Sequence, residues 1–113
     1  MDELKIDERY KRAIKRAAPV IREVLGDNLV ELLLYGSVAR EEPREFSDID
    51  IAAIVREPVP WTRRRAVLEK LYTIELDEAV AITVTYIPAD RFRDEAALGF
   101  GWLYEVERDG VAL

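Results

Sequence analysis

Cysteine, histidine and glutamine are all missing from the 113 residues, and Asn28 is the lone asparagine. Without Cys or His there is no disulfide, no thiolate nucleophile, no zinc site and no histidine acid–base catalysis. Any bound metal must rest on oxygen ligands, which points to Mg2+ or Mn2+. The shortage of amide side chains beside abundant Glu and Arg leans toward a thermophilic source. No apolar run is long enough to cross a bilayer. The charged start, Met-Asp-Glu-Leu-Lys-Ile-Asp, lacks the apolar stretch of a signal peptide, so a cytoplasmic location without a membrane partner is expected. An excess of basic charge is missing too. Seventeen Lys and Arg against 23 Asp and Glu leave a net charge of −6, which argues against a general nucleic-acid binder. A small nucleotide stays compatible with this charge, because a metal ion offsets local negative potential.

What is present reads as one soluble globular domain spanning 1–113, with 50% apolar and 35% charged residues. Tyr10, Ile14, Ala17, Ile21 and Val24 recur at helical spacing and predict a helix from about Leu4 to Leu25. Pro19 is expected to kink that helix or start a new one, and Gly26 to stop it. The apolar run Leu29 to Tyr35 predicts a buried strand ended by Gly36. Residues 41–47 read as an exposed loop. Asp48 to Val55 predicts a second strand, with Ile49, Ile51 and Ala53 on the face opposite Asp48 and Asp50. Beyond Pro58 and Pro60, a helix is expected from Trp61 or Thr62 to about Leu76. Its core face should carry Val67, Leu68, Leu71 and Ile74 or Glu75, with Trp61 stapling its start. Val80 to Ile87 is β-branched and predicts a third strand. Pro88 suits the entry to a last helix. This order predicts an α+β fold, a small mixed sheet flanked by helices.

Two short segments carry the chemistry. Gly36-Ser37 closes the first strand, and Asp48-Ile49-Asp50 opens the second. Carboxylates two apart on a strand leave the same face, with Cα atoms roughly 6.6 Å apart. At that spacing Asp48 and Asp50 can converge on one Mg2+ or share two ions. Gly36 lets a phosphate approach the backbone, and Ser37 offers its hydroxyl and amide. A short helix beginning at Ser37 would aim its positive end at that phosphate. Arg40, one turn on, could neutralise charge on the leaving or transferred group. Such a corner serves in-line transfer at phosphorus. The plainer alternative is an ordinary turn beside a solvated strand face. Arg63-Arg64-Arg65 reads as a solvated run, the alternative being a contact to phosphate or an acidic partner. In the aromatic group Phe100, Trp102, Leu103 and Tyr104, Trp102 is assigned to the core; a patch for a partner or a second copy is the alternative.

Leu34-Tyr35-Gly36-Ser37-Val38-Ala39-Arg40 and Ser47-Asp48-Ile49-Asp50-Ile51 resemble the signature of the minimal nucleotidyltransferases (MNT) of the DNA polymerase beta-like superfamily. The tail, Glu105 to Val111, is similar to the end of many such short proteins. The resemblance implies that Gly36 and Ser37 hold a triphosphate and that Asp48 and Asp50 hold catalytic metal. It implies transfer of a nucleoside monophosphate, AMP from ATP above all, to a hydroxyl of a partner protein. A HEPN-type partner in a toxin–antitoxin pair, with this chain as the antitoxin, is the partner implied. Two positions depart from the family pattern. Glu41 stands where the family has glycine, and residues 80–86 carry no third carboxylate on either strand face. A non-catalytic binding module that neutralises a partner by complexation is therefore kept as the alternative. The oligomeric state is left open.

Overall fold

The computed structural model describes residues 4–41 and 48–113. The predicted helical and strand segments map onto five α-helices and four strands among them, with a one-turn 3-10 helix at Gly26–Asn28. Helix α1 (Glu8–Leu25) is capped by Asp7, whose side chain accepts from the Arg9 N–H at 2.8 Å. It begins later than the expected Leu4 and passes through Pro19 without starting anew. Pro19 is exposed, so the helical N–H it lacks is missing on the watery side of the helix. The buried stripe is Tyr10, Ala13, Ile14, Ala17, Ile21 and Leu25; Val24, expected in it, is only partly covered.

Strands β1 (Leu29–Tyr35) and β2 (Ile49–Val55) pair antiparallel, with Tyr35 opposite Asp50. Between them the short helix α2 (Gly36–Ala39) forms, one residue earlier than expected; the rest of the expected loop, 42–47, lies outside the described residues. Helix α3 (Trp61–Glu78) runs two residues past the predicted end and stops at Ala79, which takes the left-handed conformation. Strand β3 (Ile82–Pro88) pairs parallel to β2, and the two-residue β4 (Val111–Ala112) pairs antiparallel to β1. The sheet order is β3-β2-β1-β4. Helices α4 (Ala89–Ala96) and α5 (Trp102–Asp109) fill the chain between β3 and β4. This is an α+β fold with a mixed sheet between helical layers.

The two sheet faces bury different sets. Leu32, Leu34, Ile49, Ile51, Ala53 and Val55 pack with the stripes of α1 and α3. Leu33, Ala52 and Ile54 pack with Phe92 of α4 and with Leu103 and Val106 of α5. A strand covered on both faces reads as an unbroken apolar run, which is what β2 shows after Asp50. Three expectations about packing are corrected. Leu68 is exposed, because the face of α3 centred on Val67, Leu71 and Ile74 already fills the sheet contact. Trp102 is 45% exposed, with its neighbour Leu103 taking the core position instead. Trp61 is exposed, with the Arg65 guanidinium over its ring at 5.6 Å, rather than packed as a staple into the core. No helix among the described residues is long and apolar enough to cross a membrane.

Candidate functional site

Antiparallel pairing of β1 with β2 turns two separate sequence segments into one corner. The Tyr35–Asp50 pair sets the start of β2 beside the end of β1, where Gly36 follows. Gly36 has φ 79°, a conformation that L side chains rarely adopt. A methyl group there would collide with Asp50 Oδ2 and sit 3.3 Å from its Cγ. Sequence reasoning assigns the glycine to the approach of a phosphate. The structure gives a nearer cause: the space a side chain would fill belongs to the Asp50 carboxylate.

Asp50 is half-buried and Asp48 is exposed. Burial pushes the Asp50 carboxyl above the ordinary carboxylate value, the charge of Asp48 pushes it further, and the Arg40 guanidinium pulls it partly back. Asp48 and Arg40 thus both act on Asp50. Arg40 closes α2, its N–H donating to the Gly36 carbonyl at 3.2 Å. Ser37, half-buried, lies in the same short helix. Glu41 follows with φ 60°, keeping the left-handed backbone a glycine would favour. Its carboxylate turns to the N-terminal segment and accepts from the Lys5 N–H at 2.9 Å. Glu41 thus keeps a backbone conformation that favours glycine.

The face of the sheet that carries Asp50 continues into a polar row. Thr83 of β3 stands in register with Asp50, and Tyr35 of β1 stands on its other side. The Tyr35 hydroxyl lies 3.3 Å from Thr85 Oγ1. Burial holds the Tyr35 phenol above its usual range, and Asp50 adds to this while the Thr85 hydrogen bond opposes it. Tyr35 also meets Trp102 edge to face, with ring centroids 5.7 Å apart. A cavity of about 130 Å3 opens here between Tyr35, Gly36, Arg40, Trp102, Glu105 and Asp109. Asp109 is held below the ordinary carboxylate value mainly by its hydrogen bond from Arg108, with Arg40 a lesser cause. Tyr35 lies inside the motif and Glu105 and Asp109 lie in the family-like tail, but none of the three was given a role at the site from sequence, because only the fold brings α5 beside Gly36.

Arg63, Arg64 and Arg65 do not join this corner. Arg63 donates to the Val24 carbonyl at 2.7 Å, Arg64 to the Val59 carbonyl at 3.1 Å, and Arg65 to Glu69 at 2.9 Å. Arg64 also covers the Tyr86 ring at 4.7 Å, on the sheet face opposite Asp50.

Asp48 and Asp50 supply two hard oxygen donor groups, and among the described residues no group of three or more Asp, Glu, His or Cys could hold a metal ion. A two-carboxylate set fits Mg2+ better as a shared site, since this ion keeps water and takes one or two carboxylates along with substrate phosphates. Burial first and the charge of Asp48 second raise Asp50, and a cation there would relieve the repulsion between the two acids.

A search of curated proteins finds no match to the sequence. The family model described as "Polymerase beta, Nucleotidyltransferase" matches residues 20–105, a span that holds β1, the Gly36-Ser37 turn, both aspartates and β3. The chain belongs to the polymerase beta nucleotidyltransferase family.

Proposed function

We propose that the protein transfers a nucleoside monophosphate, AMP from ATP, to a hydroxyl on a partner protein, with Mg2+ or Mn2+ held by Asp48 and Asp50. The observation that carries this reading is the Asp50 carboxylate lodged against Gly36, with Asp48 and Arg40 in electrostatic reach. In this reading Gly36 and Ser37 receive the triphosphate and Arg40 balances its charge. The metal supplies charge neutralisation at the phosphates. The acceptor oxygen forms a bond to the α-phosphorus, the bond to pyrophosphate breaks, and the hydroxyl proton passes to solvent. Positioning and electrostatics supply most of the catalysis in such a transfer. A protein-borne acceptor is supported by the exposed Phe100 and Trp102, since Trp102 lines the cavity beside Gly36. A HEPN-type protein, with this chain acting as its antitoxin, is the partner we propose.

Calorimetry with ATP and Mg2+ tests the site. Wild type is expected to bind, and Asp48→Asn with Asp50→Asn is expected to lose at least tenfold in affinity, about 1.4 kcal/mol. Equal affinity in both proteins would remove the site assignment.

A second reading is favoured by one observation. Thr83 occupies the β3 position in register with Asp50, and threonine is no general base at neutral pH. In that reading the protein kept the family fold and neutralises its partner by complex formation alone. Incubation with labelled ATP, Mg2+ and a HEPN-type partner separates the two. Label on the partner supports transfer, whereas a stable unlabelled complex supports the binding module.

A further inference from the structure

Helix α3 is apolar on two sides. Val67, Leu71 and Ile74 face the sheet, while Trp61, Leu68, Tyr72 and Leu76 are each three-fifths or more exposed. At 100° per residue these four fall within one sector of about 80°, with Arg65 inside it and Glu69 just beyond its edge. This sector lies away from α1, which meets α3 through Arg12 and Arg16 on Asp77 and Glu78. It lies toward the side of β3, where Glu75 accepts from the Ile82 N–H at 3.1 Å and Arg64 covers Tyr86. Strand β3 is the outermost of the sheet on that side.

We propose that this stripe is the contact between two copies of the chain, packed as α3 against an antiparallel α3 about a two-fold axis. The occupant follows from the order of the residues. The stripe is symmetric about the midpoint between Leu68 and Glu69. Trp61 and Leu76 are equidistant from that point, and so are Arg65 and Tyr72. A two-fold contact demands this self-complementarity, because if residue i meets residue j, then j meets i. Antiparallel pairing places Trp61 on Leu76 of the second copy, apolar on apolar. It places Arg65 over the Tyr72 ring of the second copy, the pairing chemistry that Arg64 already shows with Tyr86. Glu69 of one copy then meets Leu68 of the other at the edge of the stripe and stands within a turn of its Arg65, so opposite charges meet there. A parallel arrangement would instead set Arg65 against Arg65 and Glu69 against Glu69. Four large side chains exposed to this degree offer on the order of 500 Å2 per copy, most of the ~800 Å2 per partner of a standard interface. This inference does not rest on the nucleotidyl-transfer reading, and its test requires no nucleotide.

Sedimentation equilibrium across micromolar concentrations is expected to give twice the chain mass of 13.0 kDa. Leu68→Glu, placed near the axis, is expected to weaken association roughly a hundredfold. Because Leu68 is exposed, circular dichroism should show an unchanged fold. The chain has no cysteine, so single-thiol variants read the orientation. With a short bis-maleimide, Leu68→Cys is expected to cross-link to itself, and Trp61→Cys only when mixed with Leu76→Cys. A monomeric mass at every concentration would overturn the proposal. So would a dimer that folded Leu68→Glu leaves intact, or self-linking of Trp61→Cys.

Discussion

Asp50 loses part of its hydration when β2 pairs with β1, and its neighbour Asp48 adds a like charge. Together they raise its affinity for a proton, and Arg40 opposes only part of this. The folded chain therefore holds that proton more tightly than the unfolded chain. This favours folding fully below the ordinary carboxylate pKa, and the benefit is lost as pH rises through the raised folded value. At neutral pH an ionised Asp50 is thus a local cost of folding. In metal-free buffer Asp50→Asn is expected to melt above wild type at neutral pH. The gap should close as pH falls into the usual carboxylate range. Thermal melts across a pH series measure this, and a lower-melting Asn variant at neutral pH would contradict it. Sequence spacing was enough to nominate Asp48, Asp50, Gly36 and Arg40, since strand periodicity and the small-residue turn are local properties. It could not show that Gly36 makes room for Asp50, because that contact depends on which strands pair.

At the level of single elements, helix ends hold the clearest local strain. Ala79 ends α3 with φ 54° and ψ 47°, and its N–H donates to the Glu75 carbonyl. Glycine prefers that conformation and would keep the bond, so Ala79→Gly is expected to stabilise the fold by about 0.5–1 kcal/mol. Urea denaturation checks this, with a higher midpoint at unchanged slope as the expected result. Glu41 also has positive φ, but its carboxylate is bonded to Lys5. A glycine there would relieve the backbone and lose the bond, so no comparable gain is expected. The helices and strands were legible to within a few residues because apolar periodicity is written locally. What failed was the choice of inward face. Leu68 and Trp102 look like core residues by type, yet Val67, Leu71, Ile74 and Leu103 occupy the buried sites. Two-sided apolar helices leave that choice to packing.

Across the whole molecule, α1 and α3 are tied by an ion network as well as by the core. Glu78 accepts from Arg12 Nε at 2.9 Å and from Arg16 Nη1 at 3.5 Å, and its side chain is only 11% exposed. Asp77 accepts from Arg16 at 2.9 Å but stands half-exposed. Solvent and salt screen the second pair more than the first. Glu78→Ala is expected to cost about 1 kcal/mol and Asp77→Ala only a few tenths. Chemical denaturation of both variants at low and high salt would test the order. Equal effects would show that partial burial does not protect this network. Such networks gain weight at high temperature.

Read alone, the chain already shows which segments become helix and strand, that any bound metal would need oxygen donors, and which turn and aspartates to nominate for the site. These follow from backbone periodicity and side-chain chemistry, both of which act over a few residues. Strand order, the meeting of Asp50 with Gly36, the closing of that corner by Trp102, Glu105 and Asp109, and the outward stripe of α3 come from packing. Those depend on competition among distant segments for the same buried volume, and no local pattern encodes its outcome.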